Sequence, residues 1–496
     1  MKQDQKKYII TFQESHVPNE EVQEILGLSK RNYKEGSSFL SSEKEPQDED
    51  VLNFQELGIA SLTLSDSEVT KLKKNKQIMA VEEDEEVHIL EIADAEIEET
   101  DLNGLNDYEL IDNFSEFHDN NNFDQLDLLD DSDNFEDYQD FDMENTDSES
   151  NVGYQRGAEE TMKFIIKSIM SSESASNNAT EDANGLRLPP FRLPFPRIPF
   201  RRLPIFRPQP TPWNINLSRA PQAWRRGITG RGVKVAVLDT GISRHPDLTI
   251  RGGVSFIPGV TSYNDGHSHG THCAGIIAAK NNFYGVVGVA PGASLYAVKV
   301  LSDAGSGSMS GIIAGLNWCI SNRMHIASMS LGGKSGPRVA YAQAIRRAQT
   351  SGVTVVVASG NSFGRSFPWV CSPANSIIQG SPTASPISVG AIDRNCRIAP
   401  FSSRGGRNRI WNQVDVVAPG VRVNSTVLRN GYSPKSGTSM ACPHVAGAAA
   451  LVKQRYGNIS PLQIKSRLQR TARDLGRRGY DTTFGSGLIN CDRATR

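Results

Sequence analysis

Residues 233–242 read VKVAVLDTGI, and this stretch decides the fold class. Val233–Leu238 is a nearly uninterrupted apolar run rich in β-branched residues, which predicts a strand buried on both faces. The run ends at Asp239, and Gly241 allows the chain to turn sharply. By itself, a carboxylate at a strand end has the ordinary explanation of a turn former.

Runs of the same kind recur at Ser294–Val300, Ile326–Met329, Val353–Ala358 and Ile387–Val389. Helical patterns lie between them, for example Met309–Ser321 and Arg338–Ser351. Nearly continuous apolar strands that alternate with helices indicate a parallel sheet covered by helices on both faces. We therefore predict an α/β domain over residues 209–496.

Charge is segregated along the 496 residues, although the net charge is only −3. Up to residue 185 there are 14 Lys/Arg against 47 Asp/Glu, whereas residues 186–496 carry 39 against 9, a net of 39 − 9 = +30. Such a split predicts two regions that attract each other or serve different partners. The longest apolar runs fall short of the roughly 18 residues that a membrane span needs, which excludes an integral membrane protein.

Residues 6–90 predict a small α+β domain of the ferredoxin-like type. Strand and helix signals alternate there, at Tyr8–Phe12, Pro18–Leu28, Leu57–Leu64, Ser65–Leu72 and Gln77–Glu82. Ser65 and Glu68 are typical of the start of the second helix. We expect the polar segment from Asn32 to Asp50 to be a loop.

The middle of the chain has two biased segments. Residues 91–150 carry 23 Asp/Glu and no Lys or Arg, and this charge repulsion predicts that 91–185 is a mostly disordered acidic linker. Residues 186–208 repeat Pro-Phe-Arg elements, which predicts an extended basic arm. The arm is either a stiff spacer or a cationic strip that pairs with the acidic tract or another anionic partner.

Two further segments place a reactive side chain at the edge of a regular element. Residues 264–275 read NDGHSHGTHCAG and contain His269, and residues 436–447 read SGTSMACPHVAG and contain Ser439. Each has an ordinary explanation when taken alone, because a His before Gly-Thr can cap a helix and Gly-Thr-Ser is a common loop sequence.

Together, the three segments carry Asp239, His269 and Ser439 in an order that resembles the subtilisin-like serine proteases, the very family for which that order is described. The resemblance extends over 209–496 through Ser330–Gly333, Ala358–Asn361, Phe401–Arg404, Val417–Gly420 and Gly485–Asn490. It implies the subtilisin-like parallel sheet sandwiched by helices, and it implies a serine endopeptidase that works through an acyl-enzyme.

A serine hydroxyl needs a base within hydrogen-bond reach, and that base needs an orienting anion. The resemblance implies that Ser439 is the nucleophile, His269 the base and Asp239 the group that fixes the imidazole tautomer. It also implies an oxyanion hole from the Asn361 side chain and the Ser439 N–H, at the positive end of a helix that runs to about Tyr456.

The resemblance assigns substrate contacts as well. An extended substrate would pair as a strand with Gly305, Ser306 and Gly307 on one side and with Ser330, Leu331 and Gly332 on the other, and Ala358, Ser359 and Gly360 would form part of the first pocket. The loop 362–380 departs from the family's usual length, so the sequence leaves the residue preference open.

A structural calcium site is also implied by the resemblance. Gln209, Asp247 and Asn282 match the side-chain ligands, and carbonyl oxygens are expected from Lys280, Tyr284 and Val286. Oxygen donors from separate loops suit a hard cation. Zinc is not expected, since the three histidines of His267-x-His269-x-x-His272 lack a carboxylate or cysteine at a usual zinc spacing.

The domain at 6–90 resembles the family's propeptide, which assists folding and blocks the cleft with its C-terminal strand. Matching residues place that strand near Val87–Leu90, so the chain is predicted to be a self-processed zymogen whose propeptide is its own inhibitor. A cut after Leu90 would leave a long extension on the mature enzyme, and a second cut before Gln209 would remove it. Both remain open.

Several alternatives accompany this interpretation. A catalytically silent protein of the same fold could bind anionic partners through its basic domain, although the presence of all three catalytic groups favours the enzyme. The six cysteines are either buried thiols or partly disulfide-bonded, with Cys371 and Cys396 as one pairing. We find no export signal, which predicts a cytoplasmic protein or leaderless export, and we expect a monomer.

Overall fold

The computed structural model describes residues 5–28, 30–92, 209–364, 367–377, 385–406 and 413–496. The predictions of a disordered linker beyond Ile92 and of an extended basic arm at 186–208 lie outside these residues. In the described part of the chain, every helix is too short or too polar to cross a bilayer.

The N-terminal domain is a five-stranded sheet with three helices. Its strands are β1 (Lys6–Phe12), β2 (Asn32–Glu35), β3 (Asp50–Phe54), β4 (Ile59–Leu64) and β5 (Ile78–Glu83), and its helices are α1 (Asn19–Leu26), α2 (Gly36–Leu40) and α3 (Asp66–Leu72). The sheet order is β2-β3-β4-β1-β5. The last four strands of that order have the ferredoxin-like arrangement, and Ser65 and Glu68 form the predicted capping box of α3.

The prediction of a loop from Asn32 to Asp50 is wrong. The segment contains β2 and α2, and β3 begins at its end. The Glu35 carboxylate accepts hydrogen bonds from the N–H groups of Ser37 and Ser38 and so caps α2. Burial of Leu40 then anchors the short helix. The polar composition of this segment gave no apolar periodicity from which these elements could be predicted, because caps and packing stabilise them.

The second domain is built on a seven-stranded parallel sheet in the order β15-β14-β13-β11-β7-β9-β8. Its strands are β7 (Lys234–Asp239), β8 (Ile250–Ser255), β9 (Ser294–Lys299), β11 (Ile326–Met329), β13 (Thr354–Ala358), β14 (Ile387–Ile392) and β15 (Val416–Pro419). Strand β7 lies near the centre and is buried from Val235 to Asp239. The predicted parallel sheet is confirmed.

Helices accompany this sheet, as the alternating pattern predicts. They are α4 (Trp213–Leu217), α5 (Ala220–Trp224), α6 (His269–Ala278), α7 (Met309–Ser321), α8 (Val339–Thr350), α9 (Thr438–Tyr456), α10 (Pro461–Arg470) and α11 (Cys491–Ala494). Helix α9 is buried from Thr438 to Val452. Its small residues allow close packing, since a Cβ added at Gly447 would lie 2.6 Å from Cβ of Val289.

Short strands connect the two domains and frame the cleft. Strand β6 (Glu86–Ile89) follows the N-terminal domain and pairs antiparallel with both β10 (Ser306–Ser308) and β12 (Leu331–Gly332). A separate hairpin of β16 (Val423–Thr426) and β17 (Tyr432–Lys435) precedes α9. The last strand of the N-terminal region therefore lies as the middle strand of a three-stranded sheet in the second domain.

Candidate active site

Asp239 and His269 lie at the ends of two buried elements. Asp239 is the last residue of β7, and His269 is the first of α6. The Nδ1–H of His269 donates to Oδ1 of Asp239 at 2.7 Å, and both side chains are fully buried. The same Oδ1 accepts the N–H of Thr240 at 2.7 Å. These bonds fix the imidazole tautomer that leaves Nε2 available as a base.

Asp265 holds the loop before His269, a role that the sequence analysis missed. Its Oδ1 accepts the N–H groups of His267 and Ser268, and its Oδ2 accepts both the N–H and the hydroxyl of Thr271. Asp265 is buried, so four bonds to one carboxylate make the loop rigid. An acidic residue four positions before His269 was the available signal.

Two opposing effects act on the pKa of His269. Burial of the imidazole favours its neutral form, while the Asp239 carboxylate favours the protonated form. The carboxylate prevails, and the pKa of His269 lies well above its usual value. The imidazole can therefore accept a proton readily during the reaction.

Ser439 lies in the first turn of α9, directly beside the chain segment that follows β6. Its hydroxyl donates to the carbonyl oxygen of Ser330 at 2.9 Å and accepts the N–H of Leu90 at 3.1 Å. The Nε2 atom of His269 has no hydrogen-bond partner among the described residues. The Asp–His half of the predicted triad is therefore formed, while the Ser439 hydroxyl is held by Ser330.

The carbonyl of Leu90 occupies the predicted oxyanion hole. Its oxygen accepts the N–H of Ser439 at 3.3 Å. A Cβ added at Gly437, where φ is +146°, would lie 2.4 Å from this oxygen and 3.0 Å from Nδ2 of Asn361. Asn361 is oriented by its own Oδ1, which accepts the N–H and hydroxyl of Thr438. Its Nδ2 has no partner among the described residues and is thus a free donor beside the carbonyl.

Strand β6 occupies the predicted substrate channel. On one side Ser306 and Gly307 lie opposite His88 and Val87, and the carbonyl oxygen of Gly305 accepts the N–H of Ile89 at 3.0 Å. On the other side the partners of β6 are Leu331 and Gly332. The carbonyl oxygen of Ser330 lies 3.4 Å from the nitrogen of Leu90. All six predicted backbone partners thus contact this strand or the residue after it.

The side chains of Leu90 and Cys371 both lie close to Gly332. A Cβ added at Gly332 would be 3.2 Å from Cδ1 of Leu90 and 3.6 Å from Cβ of Cys371. At Gly360, with φ at +115°, a Cβ would be 2.5 Å from the Cys371 sulfur. The Ser359 carbonyl accepts the Cys371 N–H at 2.8 Å. The predicted segment 358–360 therefore lies against Cys371, a residue that the sequence analysis did not include.

Three acidic side chains fasten the N-terminal domain to the second domain. The Glu82 carboxylate accepts the N–H groups of Val339 and Ala340 at 3.1 and 2.9 Å, at the start of α8. Asp84 accepts the N–H and hydroxyl of Ser310 at 2.9 and 2.6 Å, at the start of α7. Carboxylates at helix N-termini satisfy free N–H groups and meet the positive end of the helix dipole.

Glu85 adds an ion pair to this interface. Its carboxylate lies 2.7 Å from a terminal nitrogen of Arg338 and also accepts the Ser335 hydroxyl at 3.0 Å. Together with Glu82 and Asp84, it holds the residues immediately before β6. The interface therefore aligns β6 with the cleft.

The residues of the predicted calcium site lie together. Oδ1 of Asp247 accepts the Asn282 side-chain N–H at 2.9 Å, and its Oδ2 accepts the Val286 N–H at 3.0 Å. The Asp247 carbonyl accepts the N–H of Lys280 at 2.9 Å. Asp247 is buried. The carboxylate of Asp247 thus contacts two of the other predicted positions, and its backbone carbonyl contacts a third.

Gln209, the first described residue of the second domain, also belongs to this cluster. Its Nε2 donates to the Tyr284 carbonyl at 2.6 Å, and its Oε1 accepts the N–H groups of Asn282 and Phe283. The cluster is therefore rich in oxygen atoms of carboxylate, amide and carbonyl type, which are the donors that calcium prefers.

The other histidines of the motifs serve the packing beneath the site. Nε2–H of His272 donates to the carbonyls of Val423 and Ser433, and burial lowers its pKa to about 3. In His444, Nδ1–H donates to the Met440 carbonyl, and burial lowers the pKa to about 4. Among the described residues, the one His/Cys/Asp/Glu group close enough to hold a metal is Asp239, His269 and Cys273, within the catalytic group itself.

All six cysteines are free. The suggested pairing of Cys371 with Cys396 is not formed, because the Cys396 sulfur instead accepts a hydrogen bond from Arg473 at 2.7 Å. Five of the six are buried, and burial raises the pKa of Cys371 to about 11. Buried thiols of this kind are poorly reactive because the charged thiolate is disfavoured.

Comparison with known proteins agrees with this geometry. Residues 230–487 match the subtilase family. The chain is 52% identical over 288 residues to Subtilisin Savinase of Lederbergia lenta, which covers 58% of this chain and 100% of that protein. It is likewise 52% identical over 288 residues to Alkaline elastase YaB of Bacillus sp. strain YaB, covering 58% of this chain and 71% of that one. A Thermostable alkaline protease of Halalkalibacterium halodurans is 47% identical over 288 residues, with coverages of 58% and 74%.

Proposed function

Because the chain belongs to the subtilase family and is a serine endopeptidase, we propose that it hydrolyses peptide bonds through Ser439, His269 and Asp239 and first cuts its own chain between Leu90 and Glu91. The observation that carries this proposal is the hydrogen bond from the Ser439 N–H to the Leu90 carbonyl, at 3.3 Å. The enzyme is favoured over the catalytically silent alternative, since the relatives include proteins named as proteases.

In the proposed reaction, the Ser439 hydroxyl leaves Ser330 and turns to Nε2 of His269. His269 takes the hydroxyl proton while Oγ attacks the carbonyl carbon, and it then gives this proton to the leaving amine as the peptide C–N bond breaks. Water hydrolyses the acyl-enzyme in a second cycle through the same base. Asp239 stays ionised and stabilises the imidazolium through the 2.7 Å bond.

The negative charge that develops on the carbonyl oxygen is stabilised by two donors. These are the Ser439 N–H and Nδ2 of Asn361, which has no other partner among the described residues. Both are fixed before the reaction, so little reorganisation is needed when the charge appears. Gly437 is required beside them because any side chain would overlap the space of the carbonyl oxygen.

Maturation would begin in the folded zymogen. The segment from Glu86 to Ile92 already lies across the cleft in an extended form, with Ile92 paired to Ser436 on the far side of Ser439. The bond after Leu90 is therefore the one presented to the nucleophile. Any cut before Gln209 would be a later event, because Gln209 lies within the Asn282 cluster rather than in the cleft.

Structural calcium is general among subtilisins, and the residues around Asp247 fit such an ion. Gln209, Asp247 and Asn282 would supply side-chain oxygens, and Lys280, Tyr284 and Val286 would supply carbonyl oxygens. Calcium bound there would tie the start of the second domain at Gln209 to the loop that follows α6. Its contribution would be to stability, since the ion takes no part in the reaction.

The test is intact mass over time for purified full-length protein and for Ser439→Ala. We expect only the wild type to shorten, with products that end at Leu90 and begin at Glu91. A first cut at another bond would contradict the proposed register, and cleavage of Ser439→Ala in the same preparation would show that a contaminating protease is responsible. If neither protein is cut and neither digests casein, the proposed activity is wrong.

A further inference from the structure

The residue immediately after the proposed scissile bond is held by a lysine. Nζ of Lys435 lies 2.7 and 3.0 Å from the two carboxylate oxygens of Glu91. The side chains are only 14% and 21% exposed, respectively. Most ion pairs at this distance lie on the surface and contribute little because water competes for both charges. This pair is largely shielded from water, so its partners depend on each other more strongly.

Lys435 is held in place by rigid surroundings. It is the last residue of β17 and lies opposite Val423 of β16 in the hairpin register. The buried His272 donates to carbonyl oxygens in both strands, at Val423 and Ser433. The next residue, Ser436, pairs with Ile92 in an isolated bridge. The ammonium group is therefore fixed beside the substrate residue that follows the scissile bond, rather than on a mobile loop.

In the described residues, the second domain does not supply a carboxylate to pair with the positive charge of Lys435. Glu91 is the one carboxylate within 4.0 Å of Nζ in the described residues. Residues 209–496 contain nine Asp and no Glu. When Glu91 leaves after cleavage, the ammonium stays in a partly buried position that favours a new carboxylate. A neutral residue there would leave the ammonium unpaired, and a basic residue would repel it.

We propose that Lys435 is a specificity-determining residue that makes this enzyme prefer glutamate or aspartate directly after the scissile bond of its protein substrates. The inference rests on the proposed function, because it assumes that the Leu90–Glu91 segment lies as a substrate does. It adds a substrate class: acidic segments, of which residues 91–150 with their 23 Asp/Glu are the first example. Selection acts through charge, so aspartate is expected to be accepted with a smaller gain because its carboxylate reaches less far.

The experiment uses the self-processed enzyme and three fluorogenic peptides built on residues 86–95, EVHILEIADA. The second and third peptides carry Gln or Lys in place of Glu91 and are otherwise identical. We expect kcat/KM for the Glu peptide to exceed that for the Gln peptide about tenfold, with the Lys peptide slowest. Lys435→Met should bring the Glu-to-Gln ratio close to one, and Lys435→Glu should make the Lys peptide better than the Glu peptide.

The matched control is Lys334→Met, which removes the same charge from an exposed position. Lys334 follows Gly332, which pairs with β6 and so lies beside the residues that precede the scissile bond. Lys334→Met should leave the Glu-to-Gln ratio unchanged. Cleavage of the Gln peptide reports that each variant is folded and active. An equal rate for the Glu and Gln peptides in the wild type, or an unchanged ratio in Lys435→Met, would overturn the inference while the protease function stands. If the wild type cuts none of the three peptides, the proposed function itself fails.

Discussion

The backbone nitrogen of Ser439 lies 3.3 Å from the carbonyl oxygen of Leu90, a residue 349 positions earlier in the chain. This one contact joins the end of the N-terminal domain to the start of α9. It places the Leu90–Glu91 peptide where the nucleophile and the oxyanion donors meet. In the proposed function, the same segment is both the inhibitor and the first substrate of the enzyme.

Replacing Asn361 tests the oxyanion hole. We expect Asn361→Leu to lower kcat about 10²–10³-fold, the loss known for the corresponding donor of subtilisin itself, with little change in KM. The reason is that Nδ2 acts on charge that exists only in the transition state. Steady-state kinetics on a peptide substrate would measure both constants.

A second variant separates donation from positioning at Asn361. Its Oδ1 also accepts two bonds from Thr438, and Asn361→Asp keeps these acceptors while it removes the donor. We expect a loss of kcat at least as large as that of Asn361→Leu. Near-normal kcat in Asn361→Asp would mean that Asn361 acts only by holding Thr438.

The pH profile tests the pairing of His269 with Asp239. Protonated His269 cannot accept the Ser439 proton, so kcat/KM should rise with pH as the imidazole loses its proton. Burial alone would lower the pKa of His269, and the Asp239 carboxylate raises it. Asp239→Asn should therefore move the rising limb to lower pH and reduce kcat about 10⁴-fold. A limb that stays in place would show that another group controls the profile.

Calcium removal tests the cluster around Asp247. Because calcium would bind only the folded protein, an excess of about 100-fold over Kd would add about 2.7 kcal/mol to the free energy of unfolding. We expect a chelator to lower the Tm of Ser439→Ala, which cannot digest itself. The double variant Ser439→Ala/Asp247→Asn should have the same low Tm whether calcium is present or chelated. The exposed Asp474→Asn is the control and should keep the full response, whereas an equal calcium response in Asp247→Asn would place the ion elsewhere.

Release of the N-terminal domain should depend on Glu82. Its carboxylate caps the first turn of α8 through Val339 and Ala340, and loss of such a cap costs about 1 kcal/mol. We expect Glu82→Ala to shorten the delay between self-cleavage and full activity several-fold. Intact mass would time the cleavage, and a chromogenic peptide would time the activity.

Glu83 supplies the control for this prediction. It neighbours Glu82 in β5 but is 56% exposed and pairs with Lys6 of its own domain. Glu83→Ala should leave the delay unchanged. Equal delays in Glu82→Ala and the wild type would mean that the pairing of β6 in the cleft, rather than the helix cap, limits release.

Sequence periodicity indicated five of the seven strands in the parallel sheet of the second domain and missed β8 and β15. The run at Val233–Leu238 overlaps β7, the pattern at Met309–Ser321 coincides with α7, and the pattern at Arg338–Ser351 contains α8. Fully buried parallel strands need continuous apolar residues, so their signal is strong and local. The loop prediction for Asn32–Asp50 was wrong for the opposite reason, because a polar edge strand and a capped short helix carry no such pattern.

The residue types of the site were also determined by the sequence. Asp239, His269, Ser439 and Asn361 could be assigned from short motifs because each occupies the end of an element whose local sequence is distinctive. The resemblance placed Gln209 and Asp247 in one cluster for the same reason. Motifs of this kind depend on local backbone shape, which neighbouring residues encode.

Only the tertiary structure decided which atoms meet across the cleft. It places Cys371 and Leu90 close to Gly332. It also places Asp265 against the loop of His269 and Lys435 against Glu91. These contacts join elements far apart in the chain, and their distances depend on how sheets and helices pack. Sequence spacing holds no information on such distances. The motifs therefore indicated the catalytic groups and a cut near Leu90, whereas packing determined which atoms contact the Leu90–Glu91 peptide and that Lys435 lies beside Glu91.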